Sequence, residues 1–209
     1  MTRARLSAAT ISRLPVYLRV LNAVADEGQQ HVSSSWLAQA TGVNSDVLRK
    51  DLSALGSMGR RGVGYQVDTV KAALEKALGL GSVHPVVLIG AGHLGQAIAG
   101  YRGFSPRGYQ IAAIIDADEN LWGTHVAGLR VQSPQELPDL VAEHKIGFAI
   151  VAVPAHAAQA VADQLCAAGV RGILNFAPVE LTVPEGVQVR GIDLAHELQI
   201  LTYLSTGQI

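Results

Sequence analysis

The sequence predicts two joined modules: a winged-helix fold over residues 1–80, then an α/β doubly wound parallel sheet over 81–192, with a last helix at 193–209. Three observations predict this. Val86-Val87-Leu88-Ile89 is short, β-branched and uninterrupted, as a strand buried on both faces is, and it breaks into Gly90-Ala91-Gly92-His93-Leu94-Gly95. Apolar runs then alternate with helical patterns, which demands a parallel sheet with right-handed crossovers. Ahead of them, two short helical stretches joined by a glycine turn precede a glycine-punctuated basic loop.

The composition agrees. The chain has 209 residues, 49% of them hydrophobic and 16% charged, with 22 glycines. This supports a substantial core of small aliphatics rather than disorder. The net charge of −1 divides unevenly. Residues 1–80 hold 10 Lys/Arg against 6 Asp/Glu, and residues 81–209 hold 6 against 11. A basic module joined to an acidic one implies different partners, and the basic one suits a polyanion. The single Cys166 excludes an internal disulfide or a cysteine metal cluster; its Ala-rich helical context makes it a packed side chain. No apolar run approaches the roughly 20 residues of a membrane span. No signal-peptide core follows the basic Met1-Thr2-Arg3-Ala4-Arg5. The expected location is cytoplasmic.

Taken in order, residues 12–27 form a helix with Leu14, Leu18, Leu21 and Val24 on one face, and Pro15 sets a boundary or kink. Ser33-Ser34-Ser35 caps a short helix over 36–41. Gly42-Val43-Asn44 turns the chain, and Ser45 caps a helix over 46–55. Leu48, Leu52 and Leu55 face inward, so Asp46, Arg49, Lys50 and Ser53 share the outer face. An apolar back and a short polar front are what a DNA recognition helix needs; a solvated helix face is the plainer reading. The wing is a hairpin around Arg60, Arg61 and Gly62, whose arginines would enter a narrow minor groove; the plainer reading is an exposed loop. Asp68 caps a helix over 69–78, and Gly79 closes it. Residues 80–85 form the junction.

In the second module, strands are expected at 86–90, 109–115, 147–154 and 187–191, with a further strand and its exit loop over 172–178, and helices at 93–101, 134–144, 155–168 and 194–204. Residues 121–132 are irregular, with room for a short hairpin. Gly90 permits the turn out of the strand, Gly92 lets a pyrophosphate approach the backbone, and Gly95 lets the helix pack on the strand. Helix amides would hold the phosphate charge. Asp116 ends the next strand, 21 residues beyond Gly95. A carboxylate there accepts from a ribose 2′-OH and repels a 2′-phosphate, which favours NAD(H) over NADP(H). This makes the module Rossmann-type. Ligands of such sheets bind beyond the carboxyl ends of the strands, which groups Gly90–Gly95, Asp116, Val153-Pro154 and Asn175-Phe176-Ala177-Pro178 around one crevice. The last helix carries Leu194, Leu198 and Leu201 on one stripe, which closes its own domain or reaches a partner subunit.

Two other functions fit parts of this pattern. An NAD-dependent dehydrogenase needs a proton-transfer residue near the nicotinamide, and only His156 and His196 are tolerable candidates. No residues remain for a substrate domain, so an enzyme is not expected. A CoA- or nucleotide-binding regulator of the same fold, sensing another ligand, is the third reading.

With both modules in view, the chain resembles the Rex family of redox-sensing transcriptional repressors over nearly its whole length. The motifs that carry this are Ile11-Ser12-Arg13-Leu14 with Tyr17-Leu18-Arg19, Val47-Leu48-Arg49-Lys50-Asp51-Leu52, Gly62-Val63-Gly64-Tyr65, Gly90-Ala91-Gly92-His93-Leu94-Gly95 and Asn175-Phe176-Ala177-Pro178. The resemblance implies a homodimer on a palindromic operator, released by NADH, with NAD⁺ competing and permitting repression. Arg13, Ser45, Asp46, Arg49, Lys50, Ser53, Arg60, Arg61 and Gly62 are the residues expected at the DNA. The resemblance further implies a C-terminal helix exchanged between subunits and lying between the partner's two domains. Asp193 at its start would switch between Arg19 and Tyr101. His156 departs from the family pattern, which often has a basic side chain there.

Overall fold

The computed structural model describes residues 6–56, 59–60 and 63–206. Two compact units divide the chain, one ending at Ser82 and the other beginning at Val83.

In the first unit, α1 spans Ala8–Asp26, and Ser7 caps it by accepting the Thr10 amide. It begins four residues before the expected start and runs through Pro15 without a boundary. Proline removes one amide donor; burial of Leu14, Tyr17, Leu18 and Leu21 around it offsets that loss. Next come β1 (His31–Val32), α2 (Ser34–Thr41) and α3 (Ser45–Leu55). The α3 cap is Asn44, not Ser45: Asn44 Oδ1 accepts the Asp46 amide at 2.8 Å. Then β2 (Gly59–Arg60) and β3 (Gly64–Gln66) pair antiparallel, with β1 on the other side of β3. This is the expected wing with an added third strand, which at two residues is too short to show a period. The unit closes with α4 (Val67–Leu78). Asp68 lies in its first turn rather than at its cap, which is Gln66. Leu14, Leu21, Leu37, Leu48, Leu52 and Leu74 from all four helices meet in one core.

The second unit is built on β4 (His84–Ile89), β5 (Tyr109–Ile115), β6 (His125–Val126), β7 (Leu129–Gln132), β8 (Phe148–Val151), β9 (Gly172–Asn175) and β10 (Gln188–Gly191). Its helices are α5 (His93–Ala99), α6 (Leu137–His144), α7 (Ala155–Ala167) and α8 (Leu194–Thr206). The irregular stretch does hold a hairpin, β6–β7. The strand order is β10-β9-β8-β4-β5-β7-β6, parallel except at β6. Without that edge strand it is the doubly wound order 3-2-1-4-5-6, whose direction reverses between β4 and β8.

Side chains alternate along β4 as a strand requires. Val87 and Ile89 join the core beneath α6 and α7, with Leu137, Val141, Ala162 and Leu165. Val86 and Leu88 join the opposite core with Ile98 of α5, Ile114 and Ile150. Cys166 packs half-buried against the first of these cores. Burial, and then Asp163, raises its thiol pKa, so it is a poor nucleophile at neutral pH.

Candidate functional site

Where the strand order reverses, the chain leaves a cavity of about 410 Å³ beyond the carboxyl ends of β4, β5 and β8. Gly90, Gly92, Asp116, Val153 and Pro154 line it, as the strand-end argument expects. The glycine loop is shaped by close approaches. A Cβ on Gly90, whose φ is +103°, would lie 2.4 Å from the Ala152 carbonyl oxygen. One on Gly95 would lie 1.8 Å from the Gly90 carbonyl oxygen, so only hydrogen fits where α5 crosses the strand. Gly92 differs: its φ is −67° and a Cβ there would meet nothing within 4 Å. The protein itself has no steric need for glycine at 92, and the open space lies in the cavity.

Asp116 ties the loop to the end of β5. Its Oδ2 accepts the Ala91 amide at 2.6 Å and its Oδ1 the Asp118 amide at 2.8 Å. Each carboxylate oxygen keeps a further lone pair for a hydroxyl.

Several lining residues escaped the sequence reading: Asp118 in the turn after β5, Pro134 and Leu137 at the entry to α6, and Ala157, Val161 and Gln164 of α7. The last three recur at helical spacing on the α7 face that looks into the crevice, a signal visible once the strand order is known. His156 also lines the cavity. Other expected residues lie elsewhere. Ala91 and Gly95 are buried beneath the loop, while His93 and Leu94 are exposed at the start of α5. Asn175 is 2% exposed, and its side chain staples the chain after β9: its amide donates to the Ala177 and Val179 carbonyls and its Oδ1 accepts the Ala177 amide. Phe176 packs into the core on the α5 side of the sheet. Residues 175–178 are absent from the wall of this cavity. Among the described residues, no cluster of His, Cys, Asp and Glu could hold a metal ion.

The first unit presents a second candidate face. Asp46, Arg49, Lys50 and Ser53 are exposed along α3, with Ser45 half-buried at its start. Arg49 forms an ion pair with Asp46 and donates to the Ser34 hydroxyl, which holds it at the junction of α2 and α3. Arg60 lies in β2; Arg61 and Gly62, like Met1-Thr2-Arg3-Ala4-Arg5, lie outside the described residues. Behind α3 sits a polar network that apolar periodicity did not reveal. Asp51 is 3% exposed and takes four hydrogen bonds: Thr10 Oγ1 (3.0 Å) and Arg13 Nη2 (2.9 Å) to Oδ1, and Arg13 Nε (2.7 Å) and Tyr17 OH (2.8 Å) to Oδ2. Burial pushes the Asp51 carboxyl up, but the bonds from Arg13, Tyr17 and Thr10 outweigh it and hold its pKa below the usual value. Burial, and then Asp51, pushes Tyr17 up to about 12.

Of the expected switch residues, Arg19 is exposed on α1. Tyr101 is exposed and stacks edge-on against Phe104, with ring centroids 5.0 Å apart. Asp193 caps its own helix, its Oδ1 accepting the Ala195 and His196 amides. No residue of α8 is buried; Leu194, Leu198, Leu201 and Leu204 are all more than half exposed. An apolar hollow of about 450 Å³ also opens on the sheet of this unit, lined by Tyr101, Phe104, Phe148, Ile150 and Leu174 among others. Among the described residues, no helix is long and apolar enough to cross a membrane.

Comparison with known proteins covers both units. Residues 5–53 match the family described as "Putative DNA-binding protein N-terminus", and residues 82–179 match the family described as "CoA binding domain". The redox-sensing transcriptional repressor Rex of Streptomyces coelicolor is 51% identical over 97% of this chain and 79% of its own length. That of Pelotomaculum thermopropionicum is 44% identical over 97% of this chain and 95% of its own. Among solved structures, the Rex-family repressor RSP in complex with β-NAD⁺ and operator DNA superposes with a TM-score of 0.92 at 34% identity, covering 98% of this chain and 94% of that one. RSP in complex with β-NADH gives 0.88 at 33% identity, covering 97% and 95%. These relatives are repressors rather than enzymes. At such identity over nearly its full length, the chain belongs to the Rex family of redox-sensing transcriptional repressors.

Proposed function

We propose that this chain, as a homodimer in the cytoplasm, binds a palindromic operator through its first unit and releases it when NADH fills the cavity of the second. NAD⁺ competes for the same site and permits repression. The observation that carries this is the reversal-point cavity, which unites Gly92, Asp116 and Val153-Pro154. The open space at Gly92 suits a pyrophosphate lying against the backbone. The Asp116 carboxylate suits ribose hydroxyls and excludes a 2′-phosphate. The same carboxylate would repel the ribose 3′-phosphate of CoA, which makes a dinucleotide the better fit.

A ligand shifts an equilibrium only by its differential affinity for two states. The oxidised nicotinamide ring carries a positive charge and the reduced ring does not. An apolar wall at Val153 and Pro154 desolvates either ring and so favours the neutral one. A coupling of roughly 1–3 kcal/mol is typical of allostery. It suffices to turn two recognition helices away from half-sites about 34–36 Å apart. The exposed leucines of α8 support its exchange between subunits, with Asp193 moving between Arg19 and Tyr101. In titrations of a labelled operator duplex, NADH releases DNA at a concentration at least about 10-fold lower than NAD⁺ does. Equal release by the two would overturn redox sensing.

Two substitution classes separate the units. Asp116→Ala removes a charged hydrogen bond to the ribose of roughly 1.5–3 kcal/mol. Fluorescence titration then shows NADH affinity lowered about 10- to 100-fold, with dinucleotide-free operator affinity unchanged. Arg49→Ala or Lys50→Ala lowers operator affinity by roughly 1–3 kcal/mol and leaves NADH binding as it was.

A further inference from the structure

The back of a recognition helix needs only apolar side chains to dock, and Leu48 and Leu52 of α3 supply them. A buried carboxylate among them is costly, and a well-packed apolar residue would dock the helix as firmly. What a carboxylate adds is direction. Thr10, Arg13 and Tyr17 form one stripe of α1, and all three donate to Asp51. Four bonds converging on two oxygens fix how α3 is rotated about its own axis, which leucine contacts alone leave adjustable.

The same bonds fix Arg13. Its Nε and Nη2 both face Asp51, so the opposite edge of the guanidinium, at Nη1, points away from the carboxylate. The Arg13 side chain is 28% exposed while that of Asp51 is 4% exposed. The carboxylate is therefore buried and the cation emerges at the surface. Around α3, Asp51 lies about 100° from Lys50 and about 160° from Arg49, so Arg13, which grips it, stands beside α3 on the side nearer Lys50 than Arg49. A guanidinium already held in one orientation loses little freedom on meeting a phosphate, and its planar edge suits that group.

We propose that Asp51 is a positioning residue for DNA binding: it clamps Arg13 so that the outer guanidinium edge becomes a fixed contact for a backbone phosphate beside α3. This rests on the operator-binding reading above.

The test uses the full chain and a fluorescent duplex carrying a site that the wild-type protein has enriched from random DNA, titrated over a series of salt concentrations. Arg13→Gln lowers affinity about 10-fold and reduces the slope of log affinity against log salt by about 1, because one phosphate contact is lost. Asp51→Asn and Arg13→Lys keep the cation but not the fork. They lower affinity several-fold while leaving the slope near the wild-type value. NADH fluorescence and circular dichroism stay as in the wild type; should Arg13→Gln lose its fold, Arg13→Lys and Asp51→Asn carry the comparison of affinity at unchanged slope. A wild-type slope in folded Arg13→Gln would overturn the phosphate contact, and wild-type affinity in Asp51→Asn would overturn the positioning role. If the wild type enriches no site, the operator reading itself fails, and this inference with it.

Discussion

Gly92→Ala leaves the protein folded and strips it of NADH, whereas Gly95→Ala does both kinds of damage. A Cβ at 92 enters open space on an unstrained backbone, so thermal unfolding moves by no more than about 1 kcal/mol, the cost of alanine in place of glycine at the N-cap of α5. The same methyl occupies the volume a pyrophosphate would take against the loop. Losing two charge-assisted bonds to the phosphates, at roughly 1.5 kcal/mol each, weakens NADH about 100-fold or more. At 95 the methyl would sit 1.8 Å from the Gly90 carbonyl oxygen. That contact requires α5 to retreat from β4 by more than about 1 Å, which opens the core around Ile98. The second unit is then destabilised by roughly 2–5 kcal/mol, on the scale of a large core truncation. Calorimetry and fluorescence titration of both variants check this. Equal melting temperatures, or NADH binding retained in Gly92→Ala, would contradict the assignment of the cavity.

Asp51→Ala produces the largest stability change in the first unit. It strands a partly buried Arg13 cation, the hydroxyl of fully buried Tyr17 and that of Thr10. Breaking a buried pair by removing one partner costs about 3–5 kcal/mol; the partial exposure of Arg13 favours the lower end. Against a domain stability of about 5–15 kcal/mol, that lowers the melting temperature of a unit this size by roughly 10–30 °C.

The network also sets a pH profile. Asp51 has a folded pKa below its usual value of 3.8, so its contribution is fully present above that value and fades as pH falls through the depressed one. Tyr17 has a folded pKa raised from 10.0 to about 12. Its contribution is present below pH 10 and is lost as pH climbs through 12. Thermal melts of the first unit should therefore vary little from these two groups across the neutral range, and Asp51→Asn should flatten the acid limb. An unchanged acid limb in that variant would assign the acid sensitivity elsewhere.

The second unit was legible because its signals are local. Val86–Ile89, the glycine loop and Asp116 are each a short pattern with one structural meaning, and the strand-end rule then gathers them. The α7 wall of the cavity was not legible, because Ala157, Val161 and Gln164 read as an ordinary helix face until the sheet order supplies a neighbour. The Asn175 motif was recognisable, yet its side chain turned out to staple its own loop, a role that depends on backbone path rather than on residue type. Asp51 escaped for a related reason. A polar residue at an inward position is invisible to an apolar period, and its partners lie 34 to 41 residues away. Caps were misplaced by one or two residues at α3 and α4, since Asn44 and Ser45 are both good caps and only geometry chooses between them.

The uncovered leucines of α8 carry a consequence for how much of the protein a cell must hold. Surface of that kind is costly for a lone chain in water, and in the proposed exchange between subunits it is covered by meeting another. By mass action, dilution then weakens both the fold and the grip on the operator together. Repression by this chain would thus fade as its own abundance falls, even with the ratio of the two nicotinamide forms held constant.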